Sequence, residues 1–474
     1  MTVLGTELVG ERSAERNAVG GPVASRAGQF SWAFFDWANQ PYFTLITTFI
    51  FAPYFAAGFV GDPVQGQVLW GYTQSIAGLA IAIGSPLLGA VADQTGSRKP
   101  WLGFFSVIFV IGSVLLWTAL PGAPDGPAFV MAAVVCAALG MEFALVFYNA
   151  MLPTLVPEKR MGALSGFGWG IGYVGGLAAL FFVLLFLVAD AESGVTMIGI
   201  EPLFGLDPVM REAERFTGPL AALWYTLFSL PIFLLTPDTP RTPIKARAAI
   251  RAGLVQLKAT FLKLRSYKNI GLFLVARMTY YDGLSAIFAF GGIYAAGTFG
   301  WEIQTLGIFG IVLSIFAALG AFLGGWMDDR FGSKRTILVA VAGLVLGTLA
   351  SVSITADTIF FFFSVSPPVP GAGPFTSVGE QVYMAAGILI GISGGPAQAA
   401  SRTFMARLAP NEMMTEFFGL YALSGKATSF VAPFVIALAT AAANSQRAGL
   451  FVVVAFLLVG FVLLLPVREE RTAA

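Results

Sequence analysis

The sequence predicts an all-α membrane protein of twelve transmembrane helices, arranged as two pseudo-symmetric six-helix bundles. Three observations carry this. The 474 residues are 57% hydrophobic and only 11% charged, against about 25% charged for a soluble domain, so the charges are too few to coat a water-facing surface. Apolar runs long enough to cross the hydrocarbon core, about 20 residues each, recur twelve times along the chain. A distinctive polar stretch also occurs twice, half a chain apart.

The predicted spans lie near 30–59, 70–92, 101–121, 127–153, 163–189 and 218–236, and, after a break, near 270–296, 303–326, 336–356, 379–404, 417–441 and 448–466. The ninth is the least sharply bounded, because the apolar run Ile359 to Phe363 follows it into a Pro/Gly-rich loop. These spans divide the chain into a polar tail (1–29), a first bundle (30–236), a linker (237–269), a second bundle (270–466) and a short tail (467–474). The first tail lacks the apolar core of a cleaved signal peptide. With the N-terminus inside, Arg211, Arg215 and Arg447 fall outside and Arg277 and Lys426 fall within spans. The other 22 of the 27 Lys and Arg residues are then cytoplasmic, as the positive-inside rule requires. Both termini are therefore expected in the cytoplasm, and the absence of any Asn-x-Ser/Thr sequon favours a bacterial inner membrane. Within the linker, Ile250, Leu254, Leu257, Phe261 and Leu264 recur at helical spacing, flanked by Arg247, Arg251 and Lys258. This reads as an amphipathic helix on the anionic inner leaflet. Binding to membrane lipid, and not to nucleic acid, is the partner it implies.

The two halves echo each other. Gly89 to Lys99 reads GAVADQTGSRK, and Gly325 to Arg335 reads GWMDDRFGSKR. Phe34-Phe35-Asp36 in the first span likewise matches Tyr280-Tyr281-Asp282 in the seventh. In the polar motif, Gly89 and Gly325 permit close approach of a neighbouring helix. Asp93 and Asp329 can pair with a cation or a helix N-terminus. Gly96 with Arg98 and Lys99, and Gly332 with Lys334 and Arg335, complete each copy. A charge clamp of this kind would hold a gate on the cytoplasmic side. Arg402 and Arg407 at the inner end of the tenth span, with Glu412 and Glu416 after it, are expected to join that network. An ordinary turn with topogenic charge explains one copy of the motif but not two.

This duplicated Gly-x-x-x-Asp-x-x-Gly motif resembles the loop signature of the major facilitator superfamily. FSWAFFDWANQPYFTLITTFIFAPYF (Phe30 to Phe55), FYNAMLPTLVPEKRMGALSGFGWGIGYVGG (Phe147 to Gly176), ARMTYYDGLSAIFAFGGIYAAGTFG (Ala276 to Gly300) and SRTFMARLAPNEMMTEFFGLYALSGK (Ser401 to Lys426) resemble its vacuole-effluxer-like branch, also called the unknown major facilitator family. The resemblance implies the major facilitator fold, with helices one, four, seven and ten lining a central cavity, and transport of small metabolites. The fungal members export amino acids from the vacuole.

Ionisable residues within a bilayer are expensive and are functional candidates by default. The spans contain Asp36, Glu142, Arg277, Asp282 and Lys426, and four of these five fall on the helices that line the cavity in the resembled fold. Asp36 and Asp282 occupy matching places in the two repeats. Each reads either as a binder of a coupling proton or substrate ammonium, or as one half of a fixed ion pair with Arg277 or Lys426. Glu142 sits mid-span without a local cation. Lys426 follows Ser424-Gly425 in half a phosphate-loop pattern, but the spacing to Gly419 is one residue too long, Ala427 follows, and no strand precedes. It reads as a charge partner or an anchor for a substrate carboxylate. Asn39, Gln40, Tyr148, Asn149, Tyr281, Gln398 and Ser401 could orient a ligand or form helix–helix hydrogen bonds. Pro41, Pro53, Pro153 and Pro396 can open local backbone bonds.

The expected function is secondary active transport of a small polar metabolite, an amino acid with export favoured, coupled to a proton or sodium. Uptake of a sugar, osmolyte or drug, or a sensing or scaffolding role without transport, are the alternatives. Histidine is absent and cysteine occurs once, at Cys136. No catalytic residues, metal ligands or cofactor are expected, and the chain is expected to act as a monomer.

Overall fold

The computed structural model describes residues 16–17, 19–95, 97–121, 126–189, 193–240, 248, 255, 266–369, 373–408, 420–421 and 423–468. Twelve helices follow one another: α1 (Arg26–Phe59), α2 (Pro63–Thr95), α3 (Lys99–Leu115), α4 (Gly126–Met151), α5 (Glu158–Phe182), α6 (Glu212–Leu235), α7 (Lys268–Phe299), α8 (Ile303–Phe331), α9 (Ser333–Val352), α10 (Val378–Leu408), α11 (Val431–Ala443) and α12 (Gln446–Leu464). Nine are long and apolar enough to cross a bilayer, counting the described residues only. The other three are α2, which carries Gln67, Thr73 and Gln74, α7, which carries Arg277 and Asp282, and the 13-residue α11. All three border the space between the halves, where a helix need not be apolar on every side.

Two bundles result. In the first, α1 packs on α5 and α6, α2 on α4, and α3 on α4 and α6. In the second, α7 packs on α12, α8 and α9 on α10, and α12 on α9 and α11. The bundles meet where α2 touches α11, α5 touches α8, and the later turns of α1 touch α7. Exposed apolar residues at helical spacing mark the lipid-facing surface: Phe104, Val107, Ile111 and Val114 on α3, and Leu223, Leu227, Leu230 and Leu234 on α6. Buried aromatic rings fill the interior, as where Phe109 lies 4.8 Å from Tyr225 and 5.4 Å from Tyr42 between ring centroids.

Prolines shape α1. A proline ring cannot donate the i→i−4 hydrogen bond and clashes with the carbonyl four residues back. Pro41 and Pro53 are each followed by a wider π-helical stretch, Tyr42–Phe49 and Tyr54–Phe59. The eleventh span, expected as one run over 417–441, is helical over Val431–Ala443 but passes through hydrogen-bonded turns over Gly425–Phe430. Pro433 contributes to this, since it has no N–H to offer the carbonyl of Ser429.

Two features lie outside the spans. The run Ile359 to Phe363 forms a small hairpin, with Thr358–Ile359 antiparallel to Phe363–Ser364. Part of the tail predicted over 1–29 is folded: helix α1 begins at Arg26, and Asn17 donates to the carbonyl of Thr154 at 2.6 Å while Ala24 N–H donates to Leu155 at 2.9 Å. The amphipathic helix expected over Ile250 to Leu264 lies outside the described residues.

Candidate functional site

The start of α1, the end of α12 and the α2–α3 and α8–α9 connections share one face, the tail face, and the opposite one is the far face. A cavity of about 510 Å³ lies between the two bundles. From α1 it is bordered by Asp36, Asn39 and Gln40, from α4 by Glu142, Tyr148 and Asn149, from α7 by Tyr281 and Asp282, and from the broken start of α11 by Gly425, Lys426 and Ser429. Trp32, Gln74 and Trp169 also line it. A second cavity of about 590 Å³ between α2, α3 and α4, where Cys136 sits, is bordered by apolar side chains and Thr73 and contains no charged group.

Close packing of α5 on α1 sets the first wall. A Cβ on Gly168 would stand 2.6 Å from Asp36 Oδ2, and one on Gly172 would stand 3.2 Å from Asp36 Cβ. Only glycine at these positions lets α1 approach this closely. Asp36 Oδ2 accepts from Tyr148 O–H at 2.8 Å and Oδ1 accepts from Asn39 Nδ2 at 3.1 Å. The Tyr148 ring is stacked between Trp32 (4.5 Å) and Phe35 (4.7 Å). Trp32 Nε1 donates to the Tyr148 carbonyl at 3.0 Å.

Glu142, which has no cation nearby in sequence, receives one from the other half. Lys426 Nζ donates to its Oε2 across the cavity, and both side chains keep partial access to water. Arg277 lies away from the cavity. Its Nη1 donates to the Tyr421 carbonyl at 2.8 Å and to Ser424 Oγ at 2.7 Å, and its guanidinium stacks 3.6 Å from the Tyr421 ring centroid. It therefore fixes the approach to the turn that presents Lys426. Asp282 is 5% exposed and, among the described residues, forms neither an ion pair nor a hydrogen bond of good geometry. The Thr428 hydroxyl approaches it but is itself without a hydrogen-bond partner.

Helix ten contributes less than the resemblance implies. Ser401 is buried between α7 and α10, where its Oγ meets Tyr280 O–H at 2.6 Å and donates to the Ala397 carbonyl. Gln398 donates to the Gly394 carbonyl of its own helix. Neither borders the cavity. The turn before α11 supplies the polar wall on this side instead.

The far end of the cavity is closed. Gln67 Nε2 donates to Thr440 Oγ1 (2.8 Å) and to the Gln446 carbonyl (3.0 Å), and Gln446 Nε2 donates back to the Pro63 carbonyl (2.7 Å). Ser429 Oγ reaches the Gly78 carbonyl at 3.5 Å. Among the described residues, the hydrogen bonds and ion pairs that cross between the bundles are these and Glu142–Lys426.

Residues 157–474 match the family described as "Vacuole effluxer Atg22 like". The chain belongs to the vacuole effluxer Atg22-like family. It is 27% identical over 448 residues to the MFS-type transporter YxiO of Bacillus subtilis (strain 168), covering 93% of this chain and 95% of that one. It is 21% identical to autophagy-related protein 22 of Coccidioides immitis (strain RS), covering 77% and 66%. Among solved structures it resembles a D-xylose-proton symporter (TM-score 0.65, 13% identity, 94% and 99% covered) and a peptide transporter in complex with alafosfalin (TM-score 0.63, 14% identity, 95% of each). This Atg22-like chain is thus a multi-pass membrane transporter of the major facilitator type, with the fold of that superfamily and a small-molecule substrate.

In this family member the tail-face motif is held within each half. Asp238, just after α6, accepts from Ser97 Oγ (2.7 Å), Arg98 N–H (2.9 Å) and Lys99 N–H (3.1 Å), and so caps the start of α3. Arg98 Nη1 donates to Thr239 Oγ1 and Lys99 Nζ to the Phe233 carbonyl. In the second half Asp328, which precedes the motif acid Asp329, accepts from Ser333 Oγ (2.6 Å) and pairs with Arg407 (3.1 Å). Lys334 Nζ reaches the Leu465 carbonyl at 2.7 Å, mirroring Lys99. Gly332 has φ +92°, a left-handed value that favours glycine at this turn. Arg335 and Arg402 are exposed. Gly325 has open space where a Cβ would stand, so among the described residues no helix approaches it. Gly96, Glu412 and Glu416 lie outside the described residues, as do the side-chain surroundings of Gly89, Asp93 and Asp329. Asp238, Asp328 and Trp32 were not singled out in the sequence. The signal for Asp238 was present, since it is the one acid in a linker of eight bases.

Proposed function

We propose that this chain is a secondary active transporter that moves a small polar metabolite, an amino acid foremost, by ion-coupled alternating access, with export from the cytoplasm as its direction. The observation that carries this is the cavity between the halves, which sets carboxylates and an ammonium on facing walls while the far face is shut. A cavity of this size accommodates a small molecule. Lys426 can anchor a carboxylate, and Asp36, Glu142 or Asp282 can hold an ammonium or a coupling ion. Asn39, Gln40, Tyr148, Asn149 and Tyr281 supply neutral donors and acceptors nearby. Export rests on the effluxer description of the family.

The charge bias makes the tail face cytoplasmic, in a bacterial inner membrane with both termini inside, so the described state is the one sealed toward the outside. The domain boundaries follow the two six-helix sets joined by the 237–269 linker. The two motif copies, with Arg402, Arg407, Glu412 and Glu416, serve as the cytoplasmic gate when the halves close on that side. The chain works as a monomer.

The test is flux of labelled L-amino acids in proteoliposomes under an imposed proton or sodium gradient. Asp36→Asn, Glu142→Gln and Asp282→Asn are each expected to lower gradient-driven flux at least tenfold, about 1.4 kcal/mol of lost stabilisation. Full flux in all three variants contradicts the coupling role, and sugar flux without amino-acid flux contradicts the substrate class.

A further inference from the structure

Asp36 and Asp282 occupy matching places in the two repeats, yet their surroundings differ. Both Asp36 oxygens are occupied by neutral donors, Tyr148 O–H and Asn39 Nδ2. Asp282 is less exposed to solvent, and the one hydroxyl beside it, that of Thr428, forms no hydrogen bond of good geometry. The groups around it can be named helix by helix. Its own helix offers Arg277 and Tyr281, and Arg277 is engaged by Tyr421 and Ser424. The segment before α11 offers Tyr421, the Thr428 hydroxyl and Lys426, and Lys426 is engaged by Glu142 of α4. Across the cavity stands Asp36 of α1. Helix α12 meets this turn of α7 with apolar Leu457, which packs where a Cβ on Gly283 would stand. Arg277, the cation beside Asp282, and Lys426, which shares the cavity with it, are therefore both committed elsewhere. A buried carboxylate whose neighbouring cations are held by other groups is costly to keep ionised, and one bound proton removes that cost.

Resting on the ion-coupled reading above, we propose that Asp282 is the proton-binding group of this transporter and that Lys426 is its alternating counter-ion. In the described state Lys426 is held by Glu142, and Asp282 carries the proton. Lys426 sits on the broken turn of the second half, and both it and Asp282 border the cavity. When the halves shift and the bond to Glu142 is lost, Lys426 is free to turn to the carboxyl of its own half. The Asp282 O–H bond then breaks, the proton passes to cavity water, and the carboxylate that remains pairs with Lys426. The electron pair of the broken bond stays on Asp282 and the lysine stays protonated, so charge balances. The linkage is mechanical: one cation serves two carboxylates, and its choice depends on the separation of the bundles. Asp36, filled by Tyr148 and Asn39 in its own half, stays outside this exchange.

The proton itself is the probe. Full-length protein in lipid nanodiscs is followed by infrared difference spectroscopy across a pH series, in which a protonated carboxyl gives a carbonyl stretch distinct from that of carboxylate. Wild type is expected to lose this band as pH rises. Asp282→Asn should remove the band, Asp36→Asn should retain it, and Lys426→Met should shift the pH at which it disappears. Asp282→Glu, which keeps a carboxyl if the amide variant fails to fold, should move the frequency of the band. A band unchanged in Asp282→Asn and Asp282→Glu, or abolished by Asp36→Asn, overturns the assignment, and an unmoved profile in Lys426→Met overturns the counter-ion. If wild type lacks the band while flux follows a sodium gradient, the proton site is wrong and transport stands. If the band behaves as stated but no solute flux occurs under any gradient, the functional reading fails on its own.

Discussion

The two faces of the molecule are held together by different chemistry. On the far face the contacts that cross from one half to the other are neutral, namely the amides of Gln67 and Gln446, the Thr440 hydroxyl, and helices brought close by glycine, while the ion pairs there, Arg211–Glu214 and Arg215–Glu212, stay within the first half. A Cβ on Gly71 would stand 2.8 Å from Ala437 Cβ and 2.9 Å from the Pro433 carbonyl, and one on Gly292 would stand 2.9 Å from the Thr48 carbonyl. On the tail face most of the polar contacts engage a charged side chain, and among the described residues each stays within one half, as in Asp238 with the α3 N-terminus and Arg407 with Asp328. Contacts within a half move with it and do not distinguish one relative position of the halves from another. Only crossing contacts set that equilibrium. Among the described residues, the contacts that stabilise this state across the halves are therefore the neutral far-face seam and one ion pair in the middle.

This difference can be broken most forcefully at Gly71. Gly71→Leu drives a side chain into the backbone of α11, which cannot step aside. Overpacking of this kind costs about 3 kcal/mol, a shift of roughly 150-fold against the sealed far face. The expected outcome is loss of transport with strong maleimide labelling of a cysteine placed at Val68, which is buried in this state. Gln67→Leu comes next. It removes two crossing hydrogen bonds and leaves the Thr440 hydroxyl short of a partner, for about 1–3 kcal/mol. The same labelling assay should show the far face opening in part.

Lys426→Met has a smaller effect on the same equilibrium. Its ion pair with Glu142 is partly hydrated, so about 1 kcal/mol is expected, a population change of roughly fivefold. The charge swap Glu142→Lys with Lys426→Glu should recover most of it. The smallest effect on the equilibrium belongs to Asp328→Asn. It loosens one loop within the second half, so the melting temperature should fall by roughly 2–4 °C while far-face labelling stays unchanged. Labelling that changes as much in Asp328→Asn as in Gln67→Leu would erase the distinction between the faces.

Much of this was legible in the sequence for a clear reason. Apolar length is dictated by bilayer thickness, so the twelve spans and their grouping in sixes could be read directly. Charge within a span is expensive, so Asp36, Glu142, Asp282 and Lys426 stood out, and all four border the cavity. What sequence spacing does not carry is the partner. Glu142 looked solitary because its cation is 284 residues away. Arg277 lies one turn from Tyr281 and was grouped with the cavity, but the Tyr421 ring and carbonyl draw its guanidinium aside. Ser401 and Gln398 satisfy themselves locally, a choice that a polar residue in an apolar run does not announce. The break before α11 was hidden because Gly425 to Phe430 contains no proline, and the proline that helps to free its backbone comes four residues after Ser429. Asp328 and Asp329 are adjacent acids, and sequence spacing does not show that Asp328 meets Arg407, because helix packing sets that contact.

The most direct measurement is a pair of spin-label distances in lipid nanodiscs, one across the far face between α2 and α11, the other across the tail face between the α2–α3 and α8–α9 loops. Wild type is expected to give a short, narrow far-face distance with a long tail-face distance. Gln67→Leu should lengthen the first while shortening the second, in opposite directions within one sample, whereas Asp328→Asn should leave both in place. Two distances that move independently, or a far face that stays closed in Gln67→Leu, would contradict a transporter whose halves rock about a shared cavity and are latched by a neutral seam.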